Sequence, residues 1–197
     1  MKFSHLTPVV EIRGNKATTI GLPKCGGVYK WWGKKELICG FLQSLSNYGN
    51  NPFEFSDLEK YLEMESFNGE KYYCFYVGQT KSSLGARIKG QHIGKMGKKN
   101  PHEGRAIHGS TLRQSINALK QEKNVFDEDE VDNVLNSCLV QWIALEKEEI
   151  DFFEKKEINN SYIRILNLDD LEDLGDTHIN TLRGDILKAL KQARRKK

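Results

Sequence analysis

Two strand-like segments, each with a glycine and a tyrosine separated by one valine, constrain the fold of this chain more than any other feature. They are Gly27-Val28-Tyr29 and Tyr76-Val77-Gly78. Valine and tyrosine favour extended backbone, and a glycine within a strand marks a place where another backbone or a ligand approaches closely. We therefore expect two paired strands that present tyrosine hydroxyls to a closely approaching ligand.

The wider pattern predicts an α+β fold with a small three-stranded antiparallel sheet flanked by helices. Strand-like runs cover residues 26–32, 72–77 and 138–145. Helical spacing of apolar residues separates and follows these runs, and Ser110 is a typical N-cap for one of the helices. Strands covered by helical segments in this way define the class.

A single domain accounts for the whole 197-residue chain, because the sequence has no internal repeat and no long linker. Within it, residues 34–70 separate the two tyrosine segments and form an insertion. We expect a small helical elaboration there that reads DNA or contacts a partner. Residues 177–197 are predicted to form a C-terminal basic helix.

Charge is unevenly distributed along the chain, although the net charge is only +3. Residues 78–125 carry ten basic and two acidic side chains, a net charge of +8, whereas residues 126–176 carry four basic and sixteen acidic ones, a net charge of −12. A basic stretch directly after the second tyrosine segment favours contact with nucleic acid. The basic residues predicted to make that contact are Lys81, Lys89, Lys95, Lys98, Lys99, Arg105 and Arg113, the last of them exposed near the start of its helix.

Cysteine and hydropathy patterns bear on the cellular location. The four cysteines are scattered and form no CxxC pair, so neither a zinc site nor a disulfide framework is indicated. No apolar run approaches the ~20 residues that a membrane span needs, and residues 1–10 lack the pattern of a signal peptide. We expect a cytoplasmic protein with reduced thiols and no membrane association. Its oligomeric state, monomer or homodimer, stays open.

Further motifs follow the two tyrosine segments in a fixed order. In chain order, the residues that carry them are Arg87, His92, Glu154 and Asn167. Together with the tyrosine segments they resemble the GIY-YIG nuclease superfamily, which includes homing endonucleases, repair nucleases and some restriction enzymes. The resemblance covers residues 26–32 and 72–168, roughly half of the chain.

The resemblance implies a divalent-metal-dependent endonuclease of restriction or repair type that hydrolyses DNA, with Mg²⁺ or Mn²⁺ as cofactor. Arg87 would offer a permanently charged fork to the phosphate oxygens, on which charge grows during in-line attack. Glu154 would hold the metal, since Mg²⁺ typically uses only one or two protein carboxylates. Tyr29 would orient the attacking water or accept its proton, and Tyr76 and His92 would be further hydrogen-bonding partners. These five residues are the predicted catalytic set.

Alternatives stay open around the predicted metal ligand. Glu154 is preferred because Asn167 follows it thirteen residues on, close to the family's spacing. Asn167 itself is predicted to contact nucleic acid or to brace a turn. Four acidic neighbours compete with Glu154 for the role of metal ligand: Glu148, Glu149, Asp151 and Glu157.

Two departures from the family pattern affect the site. The family usually joins the two tyrosine strands by a short hairpin, whereas here the tyrosines are 47 positions apart. His92 follows Arg87 by five residues rather than four, which on an ideal α-helix turns it about 100° away from the expected face. His102 and His108 are therefore alternatives for its role, unless Gly90 ends or distorts the helix.

Two other function classes fit part of the pattern. A nucleic-acid-binding module of the same fold would recognise its target without cutting it. A protein-interaction or regulatory domain would hold a partner through the acidic stretch, residues 126–176. Incubation with supercoiled plasmid and Mg²⁺ or Mn²⁺ separates these classes from a nuclease.

Overall fold

The computed structural model describes residues 2–14, 20–49, 52–93, 110–120, 127–159, 162–167 and 177–195. The strands are β1 (Thr7–Pro8), β2 (Gly27–Lys34), β3 (Met64–Phe67), β4 (Glu70–Thr80) and β5 (Leu139–Ala144). The α-helices are α1 (Val9–Gly14), α2 (Lys35–Ser46), α3 (Phe55–Leu58), α4 (Thr111–Lys120), α5 (Glu128–Asn136), α6 (Ile150–Ile158) and α7 (Thr177–Arg195). A 3-10 turn (Glu59–Tyr61) follows α3, and a π-helix (Ala86–Ile93) follows β4.

The five strands in the described part of the chain form one antiparallel sheet, in the order β1-β5-β2-β4-β3. The α+β class is thus confirmed, whereas the expected three-stranded sheet is wrong in its number of strands. The two additional strands extend the edges, since β1 pairs with β5 and β3 joins β4 through the turn Asn68-Gly69. Both turn residues have positive φ, 51° and 80°, the left-handed geometry that Asn-Gly pairs adopt in two-residue hairpins.

Strand β2 lies at the centre of the sheet, paired with β4 on one side and β5 on the other. Because side chains alternate along a strand, its residues face two separate layers of apolar packing. Tyr29 and Trp31 belong to the larger layer, whereas Val28 and Trp32 belong to the smaller one. The register sets Tyr29 opposite Gly78 of β4, so the prediction that the two tyrosine segments pair is confirmed.

Residues 34–70, the predicted insertion, contribute to the larger layer. Helix α2 buries Ile38, Phe41 and Leu45 in it, and the rings of Phe41 and Phe75 meet edge-on with 5.5 Å between their centroids. Helices α4 and α7 bury apolar residues in the same layer. Because burial of apolar surface is the main favourable term in folding, residues 34–70 support the sheet that carries both tyrosines.

The smaller layer lies on the opposite face of the sheet, beneath α6. Ile150 and Ile158 of this helix are buried there. Lys30 of β2 is also buried, and its Nζ lies 2.6 Å from a carboxylate oxygen of Glu157 on α6. These contacts fix the helix that carries Glu154 against the central strand.

Helix α7 carries the basic end of the described chain. It buries Ile179, Ile186 and Leu190 in the larger layer, and Arg194 donates a hydrogen bond to Gln114 of α4. Its basic last turn lies at the negative end of the helix dipole, where cations are favoured. No helix among the described residues combines the length and hydropathy needed to cross a bilayer.

Candidate active site

The second half of β4 has no strand on its outer side, because β3 pairs only with residues 70–73. A loop takes that place. The backbone N–H of Leu166 donates to the carbonyl of Phe75 at 3.0 Å. The amide of Asn167 accepts from the Val77 N–H at 2.9 Å and donates to the Val77 carbonyl at 2.8 Å. The Asn167 side chain therefore takes the position of a strand partner for β4, a role that differs from the expected bracing of a turn.

Beyond Asn167, the open edge of β4 faces a cleft of about 300 Å³. Three residues of the predicted catalytic set lie on its walls: Tyr76 from β4, Arg87 from the π-helix and Glu154 from α6. The other lining residues are Val77, Gly78, Gln79, Thr111 and Asn167. Elements that are distant in the sequence therefore bring a phenol, a guanidinium and a carboxylate to one cavity.

Tyr29 lies behind this cleft and is fully buried. Its hydroxyl oxygen accepts a hydrogen bond from Nε of Arg87 at 3.1 Å and is 2.8 Å from Nε2 of His92. Its ring centroid is 6.5 Å from that of Tyr76. The predicted catalytic set thus divides into two connected groups. Tyr76, Arg87 and Glu154 line the cleft, Tyr29 and His92 lie behind it, and Arg87 joins the two.

The winding of the segment after β4 explains how His92 reaches this position. Residues 86–93 form a π-helix, in which a turn closes between residues i and i+5 rather than i and i+4. Arg87 and His92, five residues apart, therefore both reach the Tyr29 hydroxyl. The α-helical winding that would turn His92 away does not apply here, because the helix is distorted into a π-helix, the exception that the sequence left open. Gly90 lies inside the π-helix and does not end it.

Burial controls the protonation of the two residues behind the cleft. It raises the pKa of Tyr29 to about 12, against the opposing effect of the Arg87 guanidinium. Burial, together with the positive charges of Arg87 and Arg113, lowers the pKa of His92 well below its ordinary value. At neutral pH a neutral phenol and a neutral imidazole are therefore in contact.

The glycines of the two tyrosine segments leave room for neighbouring protein atoms. A Cβ atom at Gly78 would lie 2.6 Å from the Tyr29 hydroxyl oxygen and 2.8 Å from Cε1 of Tyr76. One at Gly27 would lie 2.0 Å from the carbonyl oxygen of Ile143 on β5. The Cβ positions of these glycines are therefore taken up by a phenol and by an adjacent strand, and Gly78 also lines the cleft.

Two oxygen donors that belong to residues of the cleft wall suit a hard divalent cation. One is the carboxylate of Glu154, and the other is Oε1 of Gln79, a buried atom with no hydrogen-bond partner in the described part of the chain. Nε2 of Gln79 donates to Asp151 at 3.0 Å, which fixes the orientation of the amide. Over the described ranges, no three His, Cys, Asp or Glu side chains gather to hold a metal. This donor set suits a cation that keeps most of its shell as water and phosphate oxygens.

Only part of the predicted nucleic-acid contact set falls within the described residues. Lys81 is exposed, and its Nζ lies 2.6 Å from a carboxylate oxygen of Asp151. Lys89 lies on the π-helix. The predicted residues that lie outside the described part of the chain are Lys95, Lys98, Lys99, Arg105 and the alternative histidines His102 and His108.

Arg113 is buried, so the prediction of an exposed arginine near the start of α4 is wrong. Its guanidinium donates to Asp132 of α5 and to the carbonyl of His92, each at 2.8 Å. Arg13 pairs with the same carboxylate at 2.7 Å. Although burial acts in the opposite direction, hydrogen bonds from both arginines hold the pKa of Asp132 below its ordinary value. Arg113 therefore ties α4 to α5 and to the π-helix instead of facing solvent.

Gln79 and Thr111 line the cleft, and Oγ of Ser110 lies 2.8 Å from Nδ1 of His92, although the sequence pattern assigned these three residues no role in the site. Gln79 directly follows the second tyrosine segment, and that adjacency was a usable signal. Thr111 is the first residue of α4, and Ser110 precedes it in the predicted N-cap position. A helix that begins at the cleft could be recognised only once the fold placed α4 beside β4.

A family model described as the GIY-YIG catalytic domain matches residues 27–196 of the chain. The matched range begins at the first glycine of β2 and includes the whole of α7. It therefore contains all five residues of the predicted catalytic set. No curated protein and no solved structure matches the chain.

Proposed function

The chain belongs to the GIY-YIG catalytic domain family, and from this membership we propose that it is a divalent-metal-dependent endonuclease that hydrolyses DNA. The family implies endonuclease activity. The metal dependence, the DNA substrate and the restriction or repair type are the parts proposed for this chain. The observation that carries the proposal is the meeting of Tyr76, Arg87 and Glu154 on the walls of one cleft.

Arg87 is the group proposed to stabilise the charge that develops on the phosphate. Hydrolysis of a phosphodiester places negative charge on the equatorial and leaving oxygens, and a permanently charged guanidinium offers donors to two of them at once. Because Nε of Arg87 already donates to Tyr29, the guanidinium is held in place before substrate arrives. Preorganised donors of this kind are worth about 3–4 kcal/mol of transition-state stabilisation.

Glu154 is the residue proposed to hold the divalent cation, with Oε1 of Gln79 as a second oxygen on the same cleft wall. Mg²⁺ or Mn²⁺ bound there would neutralise charge on the phosphate and polarise an oxygen ligand. Asp151 supports this arrangement because it binds the amide nitrogen of Gln79 and so leaves the oxygen available.

The two tyrosines differ in their access to a substrate, and we assign them different roles. Tyr29 is fully buried and its pKa is about 12, so it keeps its proton at neutral pH and positions Arg87 by accepting its hydrogen bond. Tyr76 lines the cleft, so its hydroxyl is the phenol that can contact the attacking water or a phosphate oxygen. This assignment places substrate contact on the second tyrosine and positioning on the first.

Positive charge and a helix N-terminus favour a phosphate backbone at the cleft. Residues 78–125 carry a net charge of +8. Thr111, the first residue of α4, lies on the cleft wall, and the N-terminal end of a helix favours anions. One active site cuts one strand at a time, so cleavage of both strands of a duplex requires a homodimer or two successive nicks.

Cleavage of supercoiled plasmid tests the proposal. The wild-type protein should produce nicked or linear DNA with Mg²⁺ or Mn²⁺ and none with EDTA. The Arg87→Ala protein should bind the same DNA but cut it roughly 100-fold more slowly or not at all, because a single transition-state donor is worth about 10²–10³ in rate. Lys71→Ala, an exposed basic residue at the other end of β4, is the matched control and should cut normally.

The products distinguish the finer alternatives. Discrete fragments indicate a restriction-type enzyme, whereas preference for branched or damaged DNA indicates a repair-type enzyme. Binding without cleavage by the wild-type protein under either metal would contradict the proposal and favour a binding module of the same fold.

A further inference from the structure

We propose that Ser110 is a positioning residue that selects one tautomer of His92, with the ring proton on Nε2 and directed at the Tyr29 hydroxyl. The tautomer assignment stands on the hydrogen-bond geometry around His92 and does not depend on the proposed function. Its consequence for catalysis rests on the nuclease function proposed above.

Ser110, His92 and Tyr29 form a continuous buried chain of hydrogen bonds. All three are fully buried. Oγ of Ser110 is 2.8 Å from Nδ1 of His92, and Nε2 of the same ring is 2.8 Å from the Tyr29 hydroxyl oxygen. The edge-on ring of Trp31, with its centroid 5.6 Å from that of His92, packs against the imidazole. Both ring nitrogens therefore have one defined partner each.

Counting protons on Ser110 fixes the direction of these bonds. Its Oγ accepts the backbone N–H of Arg113 at 3.2 Å, as an N-cap residue does. A serine hydroxyl also has one proton to donate. In the part of the chain that the structure describes, the remaining partner of this oxygen is Nδ1 of His92. That nitrogen must therefore accept, and the proton of the neutral ring is on Nε2.

The ring cannot escape this choice by taking up a second proton. The guanidinium groups of Arg87 and Arg113 are the charged neighbours of His92, and both oppose a positive imidazole. Among the described residues, Tyr29 and Ser110 are the other side chains within hydrogen-bonding distance of the ring, and both are neutral. The neutral ring therefore carries its one proton on either Nδ1 or Nε2, and the hydrogen bond with Ser110 determines which nitrogen is protonated.

The selected tautomer orients Tyr29. Its oxygen then accepts from Nε2 of His92 and from Nε of Arg87, which uses both acceptor sites of a phenol. The hydroxyl proton is left to point away from both donors, on the side of Tyr76. With the other tautomer, the Tyr29 proton would turn to His92 and the Ser110 proton would be buried without an acceptor, which is costly.

The wild-type protein tests the tautomer without any substitution. Long-range ¹H–¹⁵N correlation spectra distinguish a protonated ring nitrogen from an unprotonated one, and the His92 signals are those that disappear in a His92→Gln spectrum. We expect a protonated Nε2 and an unprotonated Nδ1 at neutral pH. A protonated Nδ1 would overturn the proposal whatever the activity of the protein, and this result does not depend on the proposed function.

Substitution of Ser110 tests the consequence. Ser110→Ala should give a mixture of tautomers and should lower kcat for plasmid nicking roughly 10–100-fold with KM little changed, as loss of an orienting partner of a ring nitrogen does elsewhere. Ser110→Thr keeps the hydroxyl and should restore both the single tautomer and the rate. An altered tautomer with unchanged kcat would overturn the catalytic role.

Two control variants separate positioning from packing and capping. Ser115→Ala removes a buried serine hydroxyl on the same helix that has no hydrogen-bond partner in the described ranges. Asp127→Ala removes the N-cap of α5, which accepts from Glu130 N–H at 3.0 Å. Both should leave the His92 spectrum and kcat unchanged. If either reproduces the Ser110→Ala loss, the effect is structural and the proposal is overturned.

Discussion

The Tyr29 hydroxyl is the residue-level feature on which the site depends. It accepts a hydrogen bond from the arginine that faces the cleft, contacts the buried histidine, and occupies the space left by the glycine opposite it. A single oxygen therefore couples β2, β4 and the π-helix. Changes around this oxygen should alter activity and stability together.

Gly78→Ala should damage both properties. Its Cβ would lie 2.6 Å from the Tyr29 oxygen, so the phenol or the strand must shift, and overpacking of this kind costs about 1–3 kcal/mol. Urea unfolding and plasmid nicking measure the two losses. Gly184→Ala on α7 is the control, since it faces open space and should stabilise the helix by about 0.5–1 kcal/mol. Equal unfolding free energies and nicking rates for the Gly78→Ala and Gly184→Ala proteins would contradict the close approach at Gly78.

His92 should make stability depend on pH. Burial in the folded protein lowers the pKa of His92 well below the ordinary 6.5. Below pH 6.5, His92 is therefore protonated in the unfolded chain while it is still neutral in the folded protein. The contribution of this pKa difference to the free energy of unfolding is therefore fully present above pH 6.5, and it is lost as the pH falls towards the pKa of His92 in the folded protein. The slope relative to a His92→Gln protein should reach up to about 1.4 kcal/mol per pH unit.

Urea unfolding between pH 6.5 and 4.5 measures this slope. The window lies above the titration of Asp132, whose pKa is held below its ordinary 3.8. If the free energy of unfolding changed with pH in the same way for the wild-type and His92→Gln proteins, a buried, neutral imidazole would be contradicted.

At the scale of elements, the π-helix is the feature that completes the site. Its wider turn matches the five-residue spacing of Arg87 and His92, a spacing one residue longer than an α-helical turn accommodates. Local sequence signals did predict much of the surrounding structure. The two tyrosine strands and the Ser110 cap were both predicted, because each depends on residues close together in the chain.

Elements whose form depends on tertiary contacts were not predicted. The π-winding follows from contacts with Tyr29 and α4, and the burial of Arg113 follows from its pairing with Asp132 nineteen residues on. The two-residue strand β1 is defined by pairing with β5, more than a hundred residues away. No local pattern carries that information.

Deletion of Gly90 tests the role of the π-winding. It leaves Arg87 and His92 four residues apart, and an ordinary α-helical turn then keeps both side chains on one face. We expect this deletion to retain most of the wild-type rate of plasmid nicking, because both side chains can still reach the Tyr29 hydroxyl. Insertion of an alanine at the same point makes the spacing six residues, which neither winding accommodates. A deletion as damaging as the insertion would contradict this explanation.

At the scale of the whole molecule, residues 34–70 and α7 pack in the same apolar layer as the tyrosine strands. The segment that separates the two tyrosines in the sequence therefore contributes to the hydrophobic core that supports the site. Recognition of DNA by the exposed side of residues 34–70 stays a prediction. The cleft draws on both charged stretches of the sequence, because Arg87 comes from the basic residues 78–125 and Glu154 from the acidic residues 126–176.

The most direct test of the account is the initial rate of Mg²⁺-dependent plasmid nicking by the Glu154→Gln protein, compared with Glu65→Gln on the exposed strand β3. If Glu154 and Arg87 serve one active site, the nicking rate of the Glu154→Gln protein should be lower than that of the wild type by roughly 100-fold or more. Adding Arg87→Ala to this variant should then lower the rate little further. The Glu65→Gln protein should nick at the wild-type rate. A Glu154→Gln protein that nicks as fast as Glu65→Gln would contradict the assignment of this cleft as the nuclease site.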